Sequence, residues 1–454
     1  MTHSLLLTCL LLGAGTAQAH DPGQKGPFDV GFTNYLVIDP TRPGDLDFGV
    51  YEHRPIPVYV WYPVDSKAIG GSTPLAAYPL DPLYGGAPDA SSTDLEPYGI
   101  DRAYQEPPLS ASRPFPVLVF SPGWGAPAWM HASIGARLAS HGFIVAVPYH
   151  FGDQWWWWEP PYDPISVASF NRPRDLSVVL TDLLGKNGAQ GHLLQGAIRP
   201  AEVAAGGWSL GGYAAMTLAG GDESICDTPF GNLDDPDPCA LPQSAKSDPD
   251  PRFKAIVPLD GSSWILHFYE LARVAIPSMG MGEEWSTLAS DPVFASWQAR
   301  QHAAFSGHPN YRADVWNTNH QSFSDLCDAN QMLGKKVPDL WPQDLVDYLN
   351  AVLCTGITPS AEAHRLVNKY LVAFLKTNLA QEPGYKNVLT PGYALTREPL
   401  IEFFVTEKRS PNAINQDWPS DFLYFMHQPG SAQARAEKDP KQVKNAVQRV
   451  LQPR

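Results

Sequence analysis

Cysteine is scarce in this chain, with five in 454 residues, and no spacing among them resembles a zinc site. Basic residues are outnumbered, with 32 Lys and Arg against 47 Asp and Glu, for a formal net charge of −15. That balance argues against nucleic acid or an anionic membrane surface as the main partner, because both repel a polyanion. Solubility is the plain account of the acidity. No apolar run is long enough to span a bilayer, so stable membrane insertion is not expected. The first 19 residues contain no Lys or Arg.

Those residues do carry a short apolar core, Leu5 to Leu12, and an A-x-A site, Ala17-Gln18-Ala19, before His20. This is the layout of a secretory signal, and it predicts an exported protein, periplasmic or secreted. Cys9 sits too deep in the apolar core for a lipoprotein cysteine. Cleavage would leave Cys226, Cys239, Cys327 and Cys354, an even number that suggests two disulfides in an exported chain. Proximity suggests Cys226–Cys239 and Cys327–Cys354.

Hydrophobic residues make up 44% of the chain, enough for a sizeable core. The length suits one large α/β domain with insertions. Pro 45 and Gly 37 suggest long ordered loops around that core. The centre of the chain is Gly207-Trp208-Ser209-Leu210-Gly211, a Gly-x-Ser-x-Gly pattern. A short apolar segment, Glu202 to Gly206, precedes it, and Tyr213 to Ala219 reads as the first turns of a packed helix. A strand, a tight turn and a helix in that order place Ser209 on a strained bend with its hydroxyl clear of the sheet. The helix N-terminus behind it favours developing negative charge.

Buried strands are expected at Phe115–Phe120 and Phe143–Pro148, and further strands at Val30–Ile38, which partly alternates, Ile56–Tyr62, Phe253–Leu259, Val274–Met279 and Tyr311–Trp316. Helices are expected at Ile134–His141, Arg174–Leu184 and Thr358–Leu379. This alternation predicts a doubly wound, mostly parallel sheet with helices on both faces and long loop insertions. The catalytic domain is expected over 20–379, with excursions at about 64–112 and 221–252. Residues 380–454 read as an extension with one apolar run, Leu400 to Val405, expected either to add a strand or to wrap the domain, with no chemistry of its own.

A serine needs a base to take its proton, and histidine needs a carboxylate to fix its tautomer. The expected chain order is Ser, acid, His, each at the carboxyl end of a strand. His320 follows the last predicted strand in a polar loop. His131 and His150 precede the serine, and His302, His308, His364 and His427 read as surface or helix residues. Position leaves two sites for the acid, Asp260 and the pair Glu283/Glu284. The turn Ser121-Pro-Gly-Trp-Gly-Ala-Pro127 leaves a central strand where oxyanion donors are expected, giving the amides of Trp124 and Leu210. Trp155, Trp156, Trp157 and Trp158 cannot all enter one core. They are expected to form a substrate wall or lid, with packing against the 64–112 excursion as the alternative.

Asp260-Gly-Ser-Ser-Trp264 after an apolar strand, with Asn319-His320-Gln-Ser-Phe-Ser-Asp325 downstream, resembles the platelet-activating factor acetylhydrolase branch of the α/β-hydrolase superfamily. Ala139-Ser-His-Gly-Phe-Ile-Val145 is similar to that branch's helix-to-strand junction. The resemblance extends from about residue 30 to 378. It implies Ser209 as nucleophile, Asp260 as acid and His320 as base, with no metal and no cofactor. It also implies a small-molecule or lipid ester as substrate, of short acyl chain or a short-chain or oxidised phospholipid. The insertion at 221–252 puts Asp260 51 residues after Ser209, longer than the family's usual gap. The excursion at 64–112, the four tryptophans and the tail also fall outside the shared pattern. A polyester or aromatic-ester hydrolase is a second reading, suggested by the Trp-rich loop and the Ser-Pro-Gly-Trp turn. A catalytically inactive hydrolase fold used for binding is a third. The oligomeric state is not legible.

Overall fold

Continuous apolar runs become strands covered on both sides. In the computed structural model, Leu118 and Phe120 of β4 (Phe115–Ser121) enter one core layer, and Val117 and Val119 enter the other. Successive side chains on a strand point to opposite faces, so a run with no polar alternation belongs between two helical layers. The remaining strands are β1 (Asp29–Pro43), β2 (His53–Val64), β3 (Ala103–Gln105), β5 (Ile144–Pro148), β6 (Ile198–Trp208), β7 (Ala255–Leu259), β8 (Ser278–Glu283), β9 (Asn310–Val315) and β10 (Ile401–Thr406). They form one sheet in the order β10-β9-β8-β7-β6-β4-β5-β2-β1-β3. The stretch from β9 to β5 is parallel throughout, while β10 and β2 join it antiparallel. The described residues are 20–44, 52–80, 101–153, 165–223, 247–284, 297–339 and 341–406.

Helices Ala132–Ser140 and Ser360–Asn378 cover one face, and Ile165–Gly188 and Leu210–Gly220 cover the other. This is the expected α/β-hydrolase architecture, a mixed and mostly parallel sheet between helical layers. Among the described residues no helix is long and apolar enough to cross a membrane.

Several local expectations shift. The strand expected at Val274–Met279 begins only at Ser278 and runs through Met279-Gly-Met-Gly-Glu283. Its glycines read as a loop in sequence. In the fold, Gln298 of the helix Trp297–Ala304 occupies the space a Cβ at Gly282 would need. The helix expected from Arg174 starts at Ile165 and continues through Pro173. The excursion at 64–112 is not all surface: Ala76, Tyr78 and Leu80 are buried, and Tyr78 packs edge-on to Phe32. The tail also contributes to the fold. Its apolar run forms β10, paired with β9, and Phe403 stacks on Tyr370, so the sheet extends past residue 379. His364 lies on the helix Ser360–Asn378, as expected, and is buried. The Cys327–Cys354 disulfide is present, with Cα atoms 5.6 Å apart. Residues 1–19, Trp155 to Trp158, Cys226, Cys239 and His427 lie outside the described residues.

Among the described residues, His131, His141 and His150 are sealed in the core as neutral rings. Burial lowers His131 to about 3 and both His141 and His150 to about 4. Unfolded, each would bind a proton below about pH 6.5. Folded, each stays neutral until well below pH 5, so the unfolded state binds more protons in that window and stability falls as pH drops. Each should cost about 2 kcal/mol at pH 5 relative to pH 7. Asp325, raised by burial to about 6, offsets part of this by binding one proton in the folded state. Thermal unfolding should therefore begin several degrees lower at pH 5 than at pH 7. A midpoint that holds steady or rises on acidification would contradict this reading.

Candidate active site

Ser209 sits between the end of β6 and the helix Leu210–Gly220 with φ 56° and ψ −120°. A non-glycine residue rarely occupies that region, and it persists only where the surroundings over-determine it. Here they do. The Ser209 N–H donates to the Leu259 carbonyl at 3.0 Å, and the Ser209 carbonyl accepts from Ser262 N at 2.9 Å and Gly212 N at 2.9 Å. A Cβ on Gly207 would collide with the Gly211 backbone, and a Cβ on Gly211 would collide with the Ser121 carbonyl. The two glycines let strand, bend and helix close on one another. Leu210 opens the helix, so its N–H is among those with no intrahelical acceptor.

Asp260 follows β7 directly, is fully buried and has φ 43°. His320 opens the turn after β9, and its Nδ1 lies 2.6 Å from Asp260 Oδ2. Several contacts fix the His320 backbone. The Trp208 indole N–H donates to the His320 carbonyl at 3.0 Å, and the Trp208 ring centroid lies 4.8 Å from the imidazole. Trp297 meets the imidazole edge-on at 5.9 Å. The preceding Asn319 donates its side-chain N–H to the Leu353 carbonyl at 2.9 Å, one residue from the Cys327–Cys354 bridge. The structure thus brings Ser209, Asp260 and His320 to the carboxyl-end side of the parallel strands β6, β7 and β9, where ligands bind in open α/β sheets.

Glu283 and Glu284 are both buried, and Glu283 ends β8. A Glu283 carboxylate oxygen, an Asp260 carboxylate oxygen and a His320 ring nitrogen all lie within 4.8 Å of one another. The hydrogen-bond partner of Nδ1, at 2.6 Å, is Asp260 Oδ2.

The loop after β4 passes beside the serine. A Cβ on Gly123 would lie 3.3 Å from Ser209 Cβ. Trp124, the next residue, is among the exposed large hydrophobics, at 38% exposure.

Residues 100–154, which include that loop and β4 and β5, match the family model for platelet-activating factor acetylhydrolase, isoform II. The chain has an α/β-hydrolase fold, and this segment is similar to the platelet-activating factor acetylhydrolases. Ester hydrolysis is the activity that this match supports. A ferulic acid esterase from Streptomyces cinnamoneus has a similar fold, with a TM-score of 0.54 and 18% identity over 86% of this chain and 100% of that one. No curated protein sequence matches the chain.

Several residues that surround the hydrolase site were not singled out from sequence for a role there. His150 is buried, with Nε2 2.8 Å from Ser121 Oγ and Nδ1 2.8 Å from Asp175 Oδ2. Arg172 is fully buried and donates to Ser121 Oγ at 3.0 Å and to the Gly123 carbonyl at 2.7 Å. Arg54 and Arg42 both pair with Asp175 and hold its carboxyl well below the usual range against the opposing pull of burial. Their sequence signal was the charge-dense Arg172-Pro-Arg-Asp175 on a helix whose apolar residues face the core. A solvated face is the ordinary reading of such a run.

Proposed function

We propose that Ser209 is the nucleophile, His320 the general base and Asp260 the carboxylate that orients it. The observation that carries this is the His320 Nδ1 to Asp260 Oδ2 hydrogen bond, 2.6 Å, beside a serine at φ 56° on a strand-to-helix bend. An ionised carboxylate accepts only, so Nδ1 carries the proton and Nε2 is left as the base. His320 takes the Ser209 proton as the hydroxyl oxygen attacks the ester carbonyl. The amides of Trp124 and Leu210 hold the resulting oxyanion. The alcohol leaves with a proton from His320, and water then hydrolyses the acyl-enzyme by the same steps in reverse.

The preferred substrates are short-acyl esters, among them short-chain or oxidised phospholipids, which gives the enzyme a place in lipid breakdown. The match to an acetylhydrolase model over the segment containing the proposed oxyanion loop supports this choice. Polyesters or aromatic esters are the second reading, favoured by the exposed Trp124 ring beside the proposed oxyanion amide. Trp155 to Trp158 are proposed to form part of the substrate wall. The protein works after export, in a periplasm or outside the cell. The disulfide Cys327–Cys354 suits such an oxidising compartment.

The test uses the exported chain, whose first residue is expected to be His20, on p-nitrophenyl esters from acetyl to decanoyl and on methyl ferulate. The expected result is a maximum at acetyl or butyryl, with kcat/KM falling about tenfold or more by octanoyl. A preference for ferulate or for long acyl chains would reject the short-acyl reading.

A further inference from the structure

The loop Ser121 to Gly125 is held from behind by charged groups with no access to solvent. Arg172, on the helix Ile165–Gly188, reaches under it. One of its Nη atoms donates to Ser121 Oγ at 3.0 Å and to the Pro122 carbonyl, and the other donates to the Gly123 carbonyl at 2.7 Å. Its Nε donates to Asp153 Oδ2 at 2.6 Å, and Asp153 Oδ1 accepts from Gly125 N at 2.8 Å. Two consecutive carbonyls and the next amide but one are thus gripped by a single ion pair. Arg172 and Asp153 are both almost completely buried.

The hydroxyl of Ser121 is fixed in the same way. Asp175, ionised between Arg42 and Arg54, can only accept, so His150 Nδ1 carries the proton. His150 is neutral, since burial and the nearby Arg172 hold it at about 4. Its Nε2 therefore accepts, and Ser121 donates to it while accepting from Arg172. Ser121, His150 and Asp175 have the hydrogen-bond pattern of a catalytic triad. All three are buried, however, and the Ser121 oxygen already accepts a hydrogen bond from a guanidinium.

We infer that Arg172, braced by Asp153, is a positioning residue that sets the oxyanion-binding amide. A trans peptide points its C=O and N–H in opposite directions. With the Gly123 carbonyl turned to Arg172, the Trp124 N–H of the same peptide faces away from the guanidinium. Gly123 passes 3.3 Å, measured from a Cβ position, from Ser209 Cβ. Arg172 thus fixes the orientation of a donor whose value depends on not having to reorganise during reaction. This inference rests on the proposed nucleophile and oxyanion loop. It adds the residue that aims them.

The test is steady-state kinetics of Arg172→Lys, with active sites counted by a fluorophosphonate and the wild type and Ser209→Ala run alongside. Lysine keeps the charge but lacks the planar fork that spans two carbonyls. The expected result is a kcat lower by about 100-fold, with KM changed less than about threefold. The affinity for an arylboronic acid, which mimics the tetrahedral state, should fall in parallel with kcat. Where Arg172→Lys does not fold, Asp153→Asn decides, with kcat expected about tenfold lower and KM unmoved. A wild-type kcat per active site in either folded variant overturns the inference and leaves the nucleophile reading standing. A wild type without ester hydrolysis, or a Ser209→Ala variant as fast as the wild type, overturns both.

Discussion

Ser209→Ala is expected to lower kcat for p-nitrophenyl acetate by about 10⁵-fold or more, to a residue of catalysis from binding and oxyanion stabilisation alone. KM should change little, because the Ser209 hydroxyl contributes to covalent chemistry rather than to ground-state binding. The variant should remain folded. The Ser209 backbone, not its hydroxyl, makes the hydrogen bonds to Leu259, Ser262 and Gly212 that hold the bend. Alanine must still adopt φ 56°, so a loss of about 1 kcal/mol in stability is compatible with the account. A variant that keeps more than about 1% of wild-type kcat would place the nucleophile elsewhere.

The second large effect separates the two carboxylates beside His320. Asp260→Asn leaves the shape of the site but offers Nδ1 an amide in place of a carboxylate. The imidazole can then settle in the wrong tautomer, at a cost of about 10⁴ in kcat. Glu283→Gln should cost less than about tenfold, because Glu283 lies within 4.8 Å of the pair while Asp260 makes the hydrogen bond to His320 Nδ1. The reverse order, with Glu283→Gln the more damaging, would move the acid to the end of β8. Measuring both variants at saturating substrate, each with its active sites titrated, makes the comparison independent of expression and folding yield.

The sequence made the centre of the protein legible because its signals are local. Apolar runs such as Val117 to Phe120 and Ala204-Ala205 need two covered faces, and they are the central strands of the sheet. Gly207 and Gly211 bracket Ser209 at the spacing that strand-to-helix closure requires, and the structure has no room for a side chain at either. The positions of Asp260 and His320 after two strands followed from the same alternation.

Signals that depend on distant partners were not legible. β8 is built from Ser278-Met-Gly-Met-Gly-Glu283, which has the composition of a loop until Gln298 of a later helix fills the space beside its glycines. Arg172 and Asp175 look like a solvated helix face until Asp153, Ser121, His150 and two further arginines enclose them. A buried charge is acceptable only when paired, and the pairing residues come from segments up to 133 positions away in the chain. Tyr78 likewise lies in a Gly- and Pro-rich stretch, and only its contacts with Phe32 and Trp61 show that it belongs to the core.

The central claim is that Ser209 carries the acyl group. The most direct measurement is to treat the folded protein with a fluorophosphonate and locate the adduct by peptide mass spectrometry. One adduct per chain is expected, on the peptide containing Ser209, formed at a rate that falls at least about 10³-fold in His320→Ala. An unmodified Ser209 in a protein that still hydrolyses esters, or a stoichiometric adduct on another residue, would contradict it.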